Sequence, residues 1–182
     1  MRKIFYTGKE LGRVIGKNHS NIRTLKKELK IDINIDKQGN IELKSTTSDP
    51  IIEYIALKVL EALSLGFDLE TSLYLRNEDY ILITLNIKDF VKSQRVEKIK
   101  GIVIGTEGKT KRVVEQLTES DIKVSDHTVA IIGKTEHAEL ASAAIKSLLR
   151  GAKQANIYTY LEKNRARLKA LAQEDIEEYI KK

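Results

Sequence analysis

The sequence predicts an α+β fold in which a unit of strand, helix, glycine loop, helix, strand, strand and helix occurs twice and is followed by a further C-terminal helix. Three observations predict it. Two related glycine stretches, Gly12-Arg13-Val14-Ile15-Gly16-Lys17-Asn18-His19 and Gly101-Ile102-Val103-Ile104-Gly105-Thr106-Glu107-Gly108, stand 89 positions apart. Each is followed by a helix-period run and then by two short strand-like runs. Each half then closes with a long helix of wide apolar face that stops at a glycine, Gly66 or Gly151.

At 182 residues, 41% hydrophobic and 32% charged, the chain suits one large or two small globular domains. The net charge of +6 favours an anionic partner such as nucleic acid or an acidic membrane surface. There is no cysteine, which excludes disulfides and cysteine zinc sites. The N-terminal residues hold no apolar core long enough for a signal peptide, and no apolar run approaches the length of a membrane span. The expectation is a soluble cytoplasmic protein with no membrane partner, monomeric, and without cofactor or metal.

Taken in order, Lys3 to Thr7 is a short β-prone run. Leu11, Val14 and Ile15 give a short helix ending at Gly16. Ser20 or Asn21 is the expected cap of the next helix, with Ile22, Leu25 and Leu29 inward and Arg23, Lys26, Lys27 and Lys30 outward. Ile31, Ile33 and Ile35 alternate with polar residues as a half-buried strand does, and Ile41 to Leu43 returns as its hairpin partner. Asp49-Pro50 is a strong helix start, and Ile52, Ile55, Ala56, Val59, Leu60 and Leu63 form the buried face. The connector 67–79 is too apolar for a free linker, so a short packed helix is expected there.

The second half repeats the order. Tyr80 to Ile87 is a strand, and a loop from Lys88 leads into a helix ending at Ile104. Lys109 to Thr118 is the next helix, with Val113, Val114 and Leu117 inward. Ile122 to Val124 and Val129 to Ile132 are paired strands, and Thr135 is the expected cap of a helix to Arg150. Beyond Gln154 the chain has no counterpart in the first half. Ile157, Tyr158, Leu161, Leu168 and Leu171 predict an amphipathic helix there, ending in an acidic patch at 174–178.

This order, with Ile-Gly-x-x-Gly-Lys at Ile104 to Lys109, resembles two tandem KH domains of the type I arrangement, each a three-stranded antiparallel sheet packed on three helices. The boundaries read as 1–75 for the first with its connector, 76–152 for the second, and 153–182 for the helical extension. The second half and tail, from Gly101 through Gly151-Ala-Lys-Gln-Ala-Asn-Ile-Tyr-Thr-Tyr-Leu, resemble the two-KH small-subunit ribosome assembly factors of archaea and eukaryotes known as the partner-of-Nob family, with the related Krr proteins. The resemblance implies single-stranded small-subunit rRNA near its 3′ end as ligand, and contact with the endonuclease maturing that end and with other assembly or initiation factors. The absence of an extension around the repeats suggests an archaeal member.

In such a fold the loop holds about four nucleotides of single strand. Backbone N–H groups from Gly105 through Thr106 and Glu107 to Gly108, and the start of the following helix, would meet phosphates. Lys109, Lys111 and Arg112 would add sequence-independent attraction, with Lys111 outward. Ile104, Val103 and Val124 would floor the groove and Lys123 line its strand side. Residues 92–113 carry seven cations against two acids. In the first half His19 replaces the second glycine, which costs more at positive φ. Arg13, Gly16, Lys17, Asn18, His19 and Arg23 are therefore expected to make auxiliary RNA contacts.

No Ser-His-Asp, phosphate-loop or paired-acid pattern is present, so no catalytic residue is expected. His19, His127 and His137 lack metal-ligand spacing. The other readings are a general KH protein, such as an accessory subunit in RNA degradation, and a protein-interaction scaffold.

Overall fold

The computed structural model describes the backbone of residues 2–6, 8–36, 38–46 and 49–180, and their side chains save residues 2, 3, 50 and 171–180. The chain divides into two compact units, Met1–Leu82 and Ile83–Lys182.

In the first unit β1 (Arg2–Phe5), α1 (Gly8–Ile15), α2 (Ser20–Leu29), β2 (Ile31–Ile35), β3 (Asn40–Ser45) and α3 (Pro50–Leu65) follow one another. The sheet order is β1-β3-β2 and both pairs are antiparallel. Ile33 faces Leu43 and Ile35 faces Ile41, so the alternating isoleucines put one sheet face under the helices. Val14, Leu25, Leu43, Val59 and Leu60 are fully enclosed there. Asp49 caps α3 by accepting from the Ile51 N–H at 2.9 Å, as the Asp-Pro pair predicts. The helix ends as the glycine predicts: Phe67 N–H donates to Ala62 O and Gly66 N–H to Leu63 O, the paired bonds of a Schellman cap. The apolar connector forms α4 (Leu69–Leu73), capped by Asp68, and a 3-10 turn at Tyr74–Arg76.

β4 (Tyr80–Asn86) begins three residues before the division, and the second unit continues with α5 (Val96–Ile104), α6 (Lys109–Thr118), β5 (Asp121–Val124), β6 (Thr128–Lys134), α7 (Thr135–Leu149) and α8 (Gln154–Ile180). Its sheet order, β4-β6-β5, matches that of the first unit. The unbroken apolar run in β6 is buried on both faces from Val129 to Gly133, whereas β3 alternates. α7 ends in the same Schellman cap, with Ala152 N–H on Ser147 O and Gly151 N–H on Leu148 O. Both units follow the order strand, helix, helix, strand, strand, helix, to which the first adds α4 and the second α8.

Two expected caps are corrected. Ser20 is already the first residue of α2, and His19, in the left-handed region, occupies the cap position without a side-chain bond. Thr135 is likewise inside α7, whose cap position is Lys134. In both places the preceding structure, a tight loop or a strand end, delivers the backbone directly into the helix. Residues Thr7 and the side chains at 171–180, including Leu171 and the acidic patch, lie outside the described residues.

In the first unit, burial pushes the Tyr6 phenol up to about 12, a hydrogen bond with Ser64 opposing the shift. The folded pKa lies above the unfolded value near 10, so the neutral phenol's contribution is complete below pH 10 and is lost as pH rises toward 12. Tyr6→Phe is expected to flatten the fall in denaturant midpoint between pH 10 and 12; an unchanged slope would contradict this burial.

Candidate nucleic-acid interface

The Gly105–Gly108 loop is a left-handed insertion between two helices. α5 ends at Ile104 because Gly105 turns to φ 76°, ψ 172°, a region essentially closed to residues with a Cβ. A 3-10 turn follows at Thr106–Gly108, with Glu107 at φ 52° and Gly108 at φ 75°, and α6 starts at Lys109. Gly105 N–H donates to Gly101 O at 2.8 Å and Gly108 N–H to Gly105 O at 3.1 Å. Two of the loop amides are therefore engaged within the protein. The N–H groups of Thr106 and Glu107 open the 3-10 turn, where no upstream carbonyl is in register.

The two glycines differ in their surroundings. A Cβ on Gly105 would lie 2.2 Å from Thr110 Oγ1 and 2.6 Å from Thr110 N, whereas one on Gly108 would meet nothing within 4 Å. Gly105 is packed against the first turn of α6; Gly108 is open on its outer side. Thr106, Glu107, Lys109 and Arg112 are exposed, and Ile104, Gly105 and Gly108 half-buried. Lys123 and Val124, on β5, are half-buried as well. Val103 is fully buried, so it supports the loop from beneath and does not line a groove floor.

The cations are not equivalent. Lys111 is not free on the outside: its Nζ lies 2.7 Å from Glu115 Oε1, one helical turn on, and is only 27% exposed. The same carboxylate oxygen accepts from the Ile122 N–H at 2.9 Å, which ties Glu115 to the start of β5. Arg112 donates to the Glu107 carbonyl at 2.8 Å, bracing the loop from the first turns of α6. Lys109 stands exposed at the N-terminus of α6, where its charge adds to the positive end of the helix.

The first unit's loop has nearly the same backbone. Gly16 is at φ 72°, ψ 173°, Asn18 at φ 50° and His19 at φ 61°, against 76°, 172°, 52° and 75° at the matching positions of the second. His19 adopts the left-handed conformation that its glycine counterpart has. The 89-residue offset extends to the helix ends, where Lys30 and Glu119 both take φ near 50°. Lys17 and Arg23 are exposed on this loop and α2. Arg13 is used differently: its Nη1 donates to Ser64 O at 3.0 Å, at the carbonyl end of α3, and its guanidinium lies beside Gly66.

One group behind the second loop is invisible to pattern reading. Gln154, at the start of α8, donates through Nε2 to Ile102 O at 3.2 Å and to Thr110 Oγ1 at 2.7 Å, and Tyr158 donates to the same hydroxyl at 3.4 Å. The sequence signal, in retrospect, is that Tyr158 sits at an apolar position of the tail with Gln154 one turn before it.

Among the described residues no group of three His, Asp or Glu side chains is placed to hold a metal ion, and no helix is long and apolar enough to cross a membrane. His127 is exposed in the β5–β6 turn, its carbonyl accepting from Ile87 N–H, and His137 Nδ1 lies 2.9 Å from Thr118 O.

Residues 81–166 match the model of the eukaryotic type KH domain (KH-domain type I), a span that runs past Gly151 into α8. The KH domain-containing protein MJ0443 of Methanocaldococcus jannaschii is 36% identical over 162 residues, covering 87% of this chain and 71% of that protein. The pre-rRNA-processing protein PNO1 of Saccharomyces cerevisiae is 29% identical over 152 residues; the match covers 80% of this chain and only 56% of the yeast protein. Among solved structures, a protein of unknown function from Aeropyrum pernix matches 100% of the chain and 97% of its own with a TM-score of 0.89 at 27% identity. A chain from the a/eIF2alpha–aDim2p–rRNA complex of Pyrococcus horikoshii gives 0.84 at 29% identity, covering 91% of this chain and 94% of that one. With the loop geometry, the shared strand order and the identity to the Methanocaldococcus protein along most of both chains, this protein belongs to the PNO1-like family of KH-domain proteins.

Proposed function

We propose that the protein is a non-catalytic factor of pre-rRNA maturation that holds single-stranded small-subunit rRNA near its 3′ end. Its two units act as tandem type I KH domains, residues 1–75 and 76–152, with 153–182 as a helical extension. The observation that carries this reading is the Gly105–Gly108 loop, held open to solvent at the N-terminus of a ten-residue helix and beside exposed Lys109. The N–H groups of Thr106 and Glu107 bind a phosphate, Lys109 and Arg112 attract the backbone, and bases lie toward Ile104, Lys123 and Val124. Support for the ligand comes from the Pyrococcus neighbour, which is in a complex with rRNA and a/eIF2alpha, and from the yeast relative's role in pre-rRNA processing. Partners of the same kind, a translation initiation factor subunit or the endonuclease of the rRNA 3′ end, follow as candidates.

The first unit serves as an auxiliary contact, because Gly16, Lys17, Asn18 and His19 keep the loop's backbone and Lys17 and Arg23 its charge. Arg13 is exposed but donates to the end of α3, so it serves as the weaker contact of this set.

Salt-titrated binding of an rRNA 3′-end oligonucleotide, against a scrambled one, tests the reading. Lys109→Ala should lower the slope of log affinity against log salt by about 0.7, the value for one single-strand phosphate contact. Lys111→Ala should change it less, since Glu115 already neutralises that charge. Equal affinity for both oligonucleotides would favour a general RNA-binding or RNA-degradation role, and no binding at all a protein scaffold.

A further inference from the structure

We infer that Gln154 is a positioning residue for the RNA loop, and that the first turn of α8 is therefore part of the binding site. The inference rests on the loop reading above. Ile102 lies in the last turn of α5, where carbonyls have no partner further along the helix. Thr110 lies in the first turn of α6, is 2% exposed, and is the residue against which Gly105 is packed. A single side-chain amide, Gln154 Nε2, donates to both, 3.2 Å to the Ile102 carbonyl and 2.7 Å to the Thr110 hydroxyl. It thus bridges the residues that enter and leave the loop, from a helix with no counterpart in the first repeat. Tyr158 adds a second donor to the Thr110 hydroxyl at 3.4 Å.

The first unit supplies an independent observation. The positions matching Ile102 and Thr110 at the 89-residue offset are Arg13 and Asn21. There Asn21 Nδ2 donates directly to Arg13 O at 2.9 Å, and its side chain is what a Cβ on Gly16 would strike. The same carbonyl at the end of the same helix is satisfied in both units, by the repeat's own asparagine in one and by the tail in the other. Threonine is too short to span the gap, so in the second unit the amide arrives from α8. Its loss frees the α5 end from the α6 start, and the Thr106 and Glu107 N–H groups no longer point to one phosphate.

The test uses the full chain and a single-stranded rRNA 3′-end oligonucleotide, with affinity, thermal unfolding and amide exchange of residues 105–109 measured together. Gln154→Met keeps the length and removes both donors. It should weaken binding about three- to tenfold, the net worth of one or two neutral hydrogen bonds, and speed exchange in the loop. The double variant Thr110→Asn/Gln154→Met installs the first unit's arrangement and should restore both. A Gln154→Met protein that binds as tightly as wild type, while Gly108→Asp does not bind, overturns this inference alone. Weakened binding that the double variant leaves unrescued, with loop exchange unchanged, overturns it too, since the amide would then act only on global stability. Failure of the wild type to bind overturns the loop reading and this inference with it.

Discussion

A Gly108→Asp variant is expected to fold like the wild type and to bind single-stranded RNA about thirty- to hundredfold more weakly. Gly108 has φ 75°, ψ 14°, the left-handed helical region, and a Cβ there would touch nothing within 4 Å. Asp tolerates that region better than most residues, so the cost in stability is about 1 kcal/mol. His19 shows the same position occupied by a side chain, at φ 61°, in the first unit. What changes is the ligand side: a carboxylate then stands where the proposed site would take a phosphate, at the start of α6. Juxtaposed like charges cost several kcal/mol, and each 1.4 kcal/mol is tenfold in affinity. Circular dichroism melting beside RNA titration checks both halves; a folded variant with wild-type affinity would remove the loop from the site.

Gly105→Ala is expected to behave in the opposite sense, lowering stability by about 3 kcal/mol or more before RNA is added. At φ 76°, ψ 172° an alanine sits in a region that costs about 1–3 kcal/mol. Its Cβ would also lie 2.6 Å from the Thr110 backbone nitrogen, which cannot swing aside as a side-chain end can. Overpacking of this kind adds about 1–3 kcal/mol. Gly16→Ala is the control, since the atoms it meets, at 2.6 Å and beyond, belong to the Asn21 side chain. It should cost less. Denaturant unfolding of the three proteins decides this, and equal midpoints for Gly105→Ala and wild type would refute the packing account. The two glycines of one short motif are therefore held differently, the first packed against Thr110 and the second open on its outer side.

Most of the architecture was legible in the residue pattern because the relevant signals are local. The alternating Ile31, Ile33 and Ile35, the Asp49-Pro50 start and the Gly66 stop each act within a few residues, and each sits where its chemistry requires. The glycine loops were legible for the same reason, as was the His19 that stands in place of the second glycine in the first of them. The caps assigned to Ser20 and Thr135 were not, since polar residues at a helix start suggest capping whether or not the incoming backbone leaves them outside the helix.

The site itself was only half visible. Its cations could be counted along the chain, but a count does not say which are already satisfied. Lys111 is paired with Glu115, Arg112 braces the Glu107 carbonyl and Arg13 donates to the end of α3, while Lys109 stands exposed at the start of α6. The sequence by itself determined the repeat, the order of its elements and the loops with their positive φ, because these follow from local sterics and periodicity. Only the tertiary structure decided which amides and cations remain for a ligand, and that Gln154 closes the loop from 44 residues beyond Thr110. Those depend on pairings between groups far apart in the chain, which hydrogen-bond geometry and burial select and no local pattern encodes.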